Sequence, residues 1–91
     1  MKVKKSVYER DNGRCVVCGA PGSPNAHYIP RSASGLGIEQ NVVTLCYEHH
    51  EQFDHGDGET MAGIAEVIRT YLQEHYSDWN EEDLYYKKYG E

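Results

Sequence analysis

The chain has 91 residues and a formal net charge of -6 at pH 7, with three cysteines. That length makes one domain whose hydrophobic core is marginal without a staple, and an odd number of cysteines cannot pair off completely as disulfides. No secretory signal and no apolar run long enough to span a bilayer is present, and thiols beside histidines favour zinc in a reducing compartment, so a cytoplasmic protein without membrane contact is expected.

The negative total excludes an indiscriminate nucleic-acid binder, but the charge is unevenly spread. Residues 1–31 carry six basic groups against two acidic ones, net +4, whereas residues 32–91 carry three against thirteen, net -10. Any phosphate-facing surface therefore belongs to the N-terminal third.

Met1 to Lys5 reads as a loose, basic start. Ser6-x-x-Glu9 is a capping signature and Asn12-Gly13 supplies residues tolerant of positive φ, which predicts a helix of one or two turns from about Val7 to Asp11. Val7 and Tyr8 give it a packing face, and Arg10 and Arg14 are candidates to reach a phosphate. Cys15-Val16-Val17-Cys18-Gly19 has the form of a zinc knuckle, two thiols at C-x2-C with a glycine for the tight turn. A redox pair would need a strand leading into a helix, and the following Ala20-Pro21-Gly22-Ser23-Pro24 denies that context.

Asn25 to Ile29 reads as a short strand ended by Pro30, which cannot donate to a ladder. Arg31 to Gln40, with Ser32, Ser34, Gly35 and Gly37, is a surface loop. Asn41 to Leu45 is a second, β-branched strand running into a helix that starts at Cys46. Met61, Ile64, Ile68, Tyr71, Leu72 and Tyr76 recur at helical spacing and predict an amphipathic helix from about Glu59 to His75, covering the small core. Asn80-x-x-Asp83 caps a final helix containing Leu84, Tyr85, Tyr86 and Tyr89, with Lys87 and Lys88 near its C-terminus, where the dipole favours cations. Tyrosines at this density suit half-buried packing, base stacking or a homodimer contact.

Zinc takes four ligands in a tetrahedron, and Cys46-x2-His49 completes the set begun by Cys15 and Cys18. Cys46-x3-His50 is also an acceptable spacing, so either histidine can be the fourth ligand. His49 is preferred, because His50 and Asp54 then lie four apart on another face of the same helix, where they can share a second cation. An oxygen ligand tilts that cation toward Mg2+ or Mn2+, with Ni2+ or Zn2+ as softer alternatives, and His55 can replace Asp54 if the helix ends early.

His27 with Pro30 three residues on, Asn41 fourteen residues after His27, then Leu45-Cys46 and His50 nine residues after the asparagine, resembles the His-Asn-His signature of HNH endonucleases. The Cys15/Cys18 and Cys46/His49 pairs are similar to the structural zinc of many members, with a histidine in place of the usual last cysteine. The resemblance covers about residues 7–55. It implies an α+β fold of the small ββα-metal, treble-clef-like type, built on a structural Zn2+ and followed by C-terminal helices. It also implies hydrolysis of DNA phosphodiester bonds with a catalytic divalent cation.

By that resemblance His27 is the general base, Asn41 holds the loop and the base in position, and His50 with Asp54 binds the catalytic cation. Arg31, just past the base, and Arg14 are the expected nucleic-acid contacts. One departure stands out: the position before the base, usually an aspartate or histidine that adds a metal ligand, is Ala26. A zinc-stabilised module that binds DNA or protein without turnover is the rival expectation, and a purely structural zinc domain acting through its tyrosine-rich tail is a third.

Overall fold

Helix α1 spans Lys2–Arg10 in the computed structural model, which describes residues 2–86. It begins well before the predicted Val7, within the stretch expected to be loose, and Ser6 lies inside it instead of capping it. The reason is packing: Val3, Ser6, Val7 and Arg10 recur at i, i+3, i+4 and i+7, all are at least half-buried, and the helix lies against both strands. Asn12 (φ 57°) and Gly13 (φ 65°) end it as expected.

Strand β1, Ser23–His27, pairs antiparallel with β2, Val42–Leu45, in a two-stranded sheet with Ala26 opposite Val43 and His27 opposite Val42. β1 starts two residues earlier than predicted and ends at His27; Pro24 is accommodated because the register is irregular between Ser23 and Ala26. The connecting loop contains one 3-10 turn, Arg31–Ala33. Gly35 is required there, since a Cβ would overlap the Ile29 carbonyl.

Cys46 caps helix α2, Tyr47–His55, its sulfur accepting from the His49 backbone N–H. Asp57 caps helix α3, Gly58–His75, by accepting from Thr60 N–H at 2.7 Å. α3 matches its predicted span to one residue. Its Ile64, Ile68 and Leu72 are buried against Cys15, Ala26, Val43, Leu45 and Cys46. Removing three such aliphatic side chains from water contributes about 1.5–3 kcal/mol each, so α3 supplies much of the core that the short sheet lacks.

The predicted last helix is corrected to a single 3-10 turn, Glu81–Leu84, capped by Asn80. Beyond it the backbone turns extended because the loop before β2 offers hydrogen bonds: Leu36 N–H donates to Leu84 O at 2.8 Å and Tyr86 N–H to Ser34 O at 2.7 Å. Tyr89, Lys87 and Lys88 lie outside the described residues. The fold is a small α+β domain.

A buried ionic cluster joins α1 to β2 and α3. Arg10 donates to Asp11, to Glu39 O (2.7 Å) and to Val42 O (2.7 Å), with its guanidinium over the rings of Tyr71 and Tyr76. Asp11 also accepts from Thr44 N–H (2.9 Å) and from the Tyr71 hydroxyl. Arg10 is thus a structural ion and not the phosphate-seeking side chain its sequence position suggested.

Candidate metal centre and adjoining cleft

The knuckle folds as its sequence requires. Cys15 N–H donates to Ala20 O (2.7 Å), Gly19 N–H returns to Cys15 O (2.8 Å), and Gly19 takes φ 81° to close the turn. Val16 N–H donates to Thr44 O at 3.0 Å, which ties the knuckle to the end of β2 and so sets its thiols beside Cys46.

The ligand atoms of Cys15, Cys18, Cys46 and His49 all lie within 4.8 Å of one another. Cys18 Sγ and Cys46 Sγ are 3.8 Å apart, and His49 Nδ1 is 3.6 Å from Cys15 Sγ and 3.3 Å from Cys46 Sγ. A zinc tetrahedron with Zn–S of about 2.3 Å and Zn–N of about 2.0–2.1 Å has S···S edges near ~3.8 Å and S···N edges near ~3.5 Å. These three edges match that tetrahedron, and the four residues lie close enough together to hold a metal ion such as zinc. Burial alone would raise the Cys15 thiol, but the backbone N–H groups of Cys46, Cys18 and Val17 outweigh it and bring it down to about 7. A thiol poised to ionise is a ready metal ligand.

Of the two adjacent histidines, only His49 belongs to this cluster, the one such group among the described residues. His50 turns to the other face of α2, its Nε2 3.2 Å from Asp54 Oδ2. Two ligand atoms on a Mg2+-sized ion, at about 2.0–2.1 Å each and at right angles, are ~2.9 Å apart, so the pair fits one edge of an octahedron. His55, still helical, is the next residue along.

His27, the last residue of β1, lines a cleft of about 640 Å3 together with Phe53, Asp54 and His55 of α2 and Met61 of α3. Burial, reinforced by the charges of Arg31, Lys4 and His50, holds its imidazole below the usual histidine range, with the Asn25 carbonyl offsetting part of this. The ring is therefore neutral at pH 7 and able to accept a proton. Its Nε2 is enclosed and has no hydrogen-bond partner among the described residues.

Asn41, fully buried, immediately precedes β2. Its Oδ1 accepts from Ile29 N–H (2.8 Å) while Nδ2 donates to Ile29 O (3.0 Å) and Leu36 O (2.8 Å), and Tyr28 N–H donates to Asn41 O (2.8 Å). One side chain thus clamps both ends of the loop that follows His27. Asn41→Ala leaves three buried backbone groups unpaired and is expected to cost about 3 kcal/mol. Asn41→Asp, which sets a carboxylate oxygen against two carbonyls, is expected to cost as much; urea unfolding of both variants checks this.

Arg31 is exposed at the start of the 3-10 turn, two residues past Ile29. Arg14 is exposed on the knuckle, where it donates to Gly19 O at 3.0 Å and borders a cleft with Cys15 and Cys18, not the one lined by His27. Ala26 is fully buried in the core opposite Val43, so the position before His27 offers the cleft no side chain. Sequence reasoning passed over Lys4, which lines a recess together with His27 and Arg31; reading Met1 to Lys5 as a loose start gave no sign that α1 would bring it there.

Compared with protein-family models, with curated proteins and with solved structures, the chain matches none. No helix of the described residues is long and apolar enough to cross a membrane.

Proposed function

We propose that the chain is a metal-dependent HNH endonuclease that hydrolyses DNA phosphodiester bonds, its hairpin and α2 forming a zinc-stapled ββα-metal unit. The observation that carries this reading is the meeting of His27, at the end of one strand, with Asp54 of the His50–Asp54 pair at a single cleft. Asn41 pins the loop between them.

His50 and Asp54 would hold the divalent cation, which when bound supplies Lewis-acid stabilisation of the phosphoryl and leaving oxygens. His27, kept neutral by burial and by neighbouring cations, takes the proton from the attacking water. Asn41 keeps the imidazole from drifting by fixing the backbone at Tyr28 and Ile29. Arg31 neutralises charge on the bound phosphate. Scission of the bond to the 3'-oxygen leaves 5'-phosphate and 3'-hydroxyl ends.

A second reading, a zinc-stabilised DNA-binding or protein-interaction module without turnover, draws on the buried Ala26 and the enclosed His27 Nε2. Supercoiled plasmid separates the two. Protein retaining one zinc per chain is expected to nick it with added Mg2+ or Mn2+, and His27→Ala to lower the rate about a hundredfold or more. Intact plasmid with Mg2+, Mn2+ and Ni2+ alike would overturn the nuclease; salt-sensitive binding without scission would establish the module.

A further inference from the structure

His27 is the last residue of β1, opposite Val42, and the chain then runs through residues 28–41 before β2 begins. A two-stranded ribbon is marginal by itself, and a loop of this length is ordinarily the least constrained part of a small domain. Asn41 grips the loop from within, at Ile29 and Leu36. That leaves the side chain of Tyr28 and the rest of the loop to be held by another element.

The C-terminal segment holds them. The Tyr28 hydroxyl donates to Glu81 Oε1 (3.1 Å), and the Tyr28 ring meets Trp79 edge-on with centroids 5.9 Å apart. Trp79 Nε1–H donates to Gln40 O (2.8 Å), and the Tyr76 hydroxyl donates to Glu39 Oε1 (3.1 Å). Farther along, Leu84 O accepts from Leu36 N–H, Tyr85 bridges to Gly35, and Tyr86 N–H reaches Ser34 O. Ser34 has φ 68°, uncommon for a residue other than glycine, so this backbone bond keeps the loop in a shape it would not favour alone. The segment is itself pre-shaped by short-range bonds, Trp79 N–H to Tyr76 O (2.9 Å) and Asp83 N–H to Asn80 O (3.0 Å), and Leu84 anchors it in the interior.

Tyr28 is where this grip meets the cleft. It follows His27 directly and lines the same cleft. Burial and the Glu81 carboxylate push its hydroxyl up to about 12, so it remains a protonated donor at neutral pH. We infer that residues 76–86 form a strap that positions His27, with Tyr28 as the positioning residue: Glu81 and Trp79 fix its side chain, and its backbone carries that restraint to the imidazole. This rests on the nuclease reading for the task of His27, but the hold on the ring is readable without cleavage. A misplacement of about 1 Å costs a reaction about a hundredfold in rate, so a loosened strap lowers kcat and leaves KM nearly unchanged.

The test pairs plasmid cleavage by zinc-loaded protein, well below its thermal transition, with NMR of the His27 ring recorded without substrate or added cation. Tyr28→Phe and Glu81→Ala are each expected to lower kcat about three- to tenfold, as loss of one hydrogen bond allows, and to broaden the His27 ring resonances. The double variant is expected to lose no more than either alone. Glu81→Gln, which retains an acceptor oxygen, is expected to keep both readouts at wild type. Wild-type kcat and sharp His27 signals in Tyr28→Phe and Glu81→Ala would overturn the strap and leave the nuclease standing. A lowered melting temperature with kcat unchanged below it would show a brace without positioning, and would overturn the strap equally. Plasmid left intact by wild-type protein with every metal would defeat the nuclease reading; broadening confined to His27 and absent in Glu81→Gln would still establish the hold of the strap on that ring.

Discussion

Cys46→Ser is expected to yield a chain with no cooperative thermal transition, and prolonged chelation of the wild-type protein is expected to do the same. Structural zinc contributes an apparent ~10–16 kcal/mol at pH 7 to small domains that use it, whereas whole domains are stable by about 5–15 kcal/mol. A ligand shared by the core and the metal therefore carries the fold. Cys46 is such a residue: it caps α2, packs in the cluster with Ile64, Ile68 and Leu72, and supplies one of the four ligand atoms. Serine retains the cap but binds zinc poorly. Cobalt substitution provides the spectroscopic check. His49→Ala is expected to lose the tetrahedral d–d bands and the fold with them, while His50→Ala keeps both. Bands surviving in His49→Ala but lost in His50→Ala would reverse the assignment of the two histidines.

Ligand spacing is discrete, which is why the cluster could be read from residues alone: C-x2-C and C-x2-H leave few geometries, and the hairpin only had to bring them together. α3 was readable for a related reason, since Ile64, Ile68 and Leu72 repeat with the helical period over several turns. Where the reading failed, tertiary contacts overrode local signals. Ser6-x-x-Glu9 imitates a helix start, yet burial of Val3 and Val7 carries α1 through it. Asn80 does cap a turn as expected, but Ser34 and Leu36, more than forty residues earlier in the chain, offer backbone partners that draw Tyr85 and Tyr86 out of a helix. The Arg10–Asp11 pair was opaque for the same reason. Adjacent opposite charges ordinarily mark a solvated surface, and nothing local says that Val42, Thr44, Tyr71 and Tyr76 will close over them.

That buried pair leads to the second large effect. Asp11→Asn is expected to destabilise the protein by about 3–5 kcal/mol, because breaking a buried ion pair strands its partner charge. Asp11 is 6% exposed and bonds to Arg10, Tyr71 and the Thr44 backbone. Burial opposes ionisation of its carboxyl, but the Arg10 hydrogen bonds and charge, the Tyr71 hydroxyl and the Thr44 N–H outweigh it and hold it below the usual carboxylate range. The unfolded chain, with an ordinary value near ~3.9, therefore binds this proton more readily than the native one. The sign follows: stability from Asp11 is complete above the unfolded value and is lost as pH falls through the lower native value. The gap between wild type and Asp11→Asn should accordingly stay constant from pH 7 to about 5 and narrow only below ~4. Taking the difference between the two proteins cancels proton competition at the shared thiolate site. A gap that narrows already between pH 7 and 5 would mean that Asp11 titrates with a raised value, and that Arg10 is satisfied mainly by the Glu39 and Val42 carbonyls and the rings of Tyr71 and Tyr76.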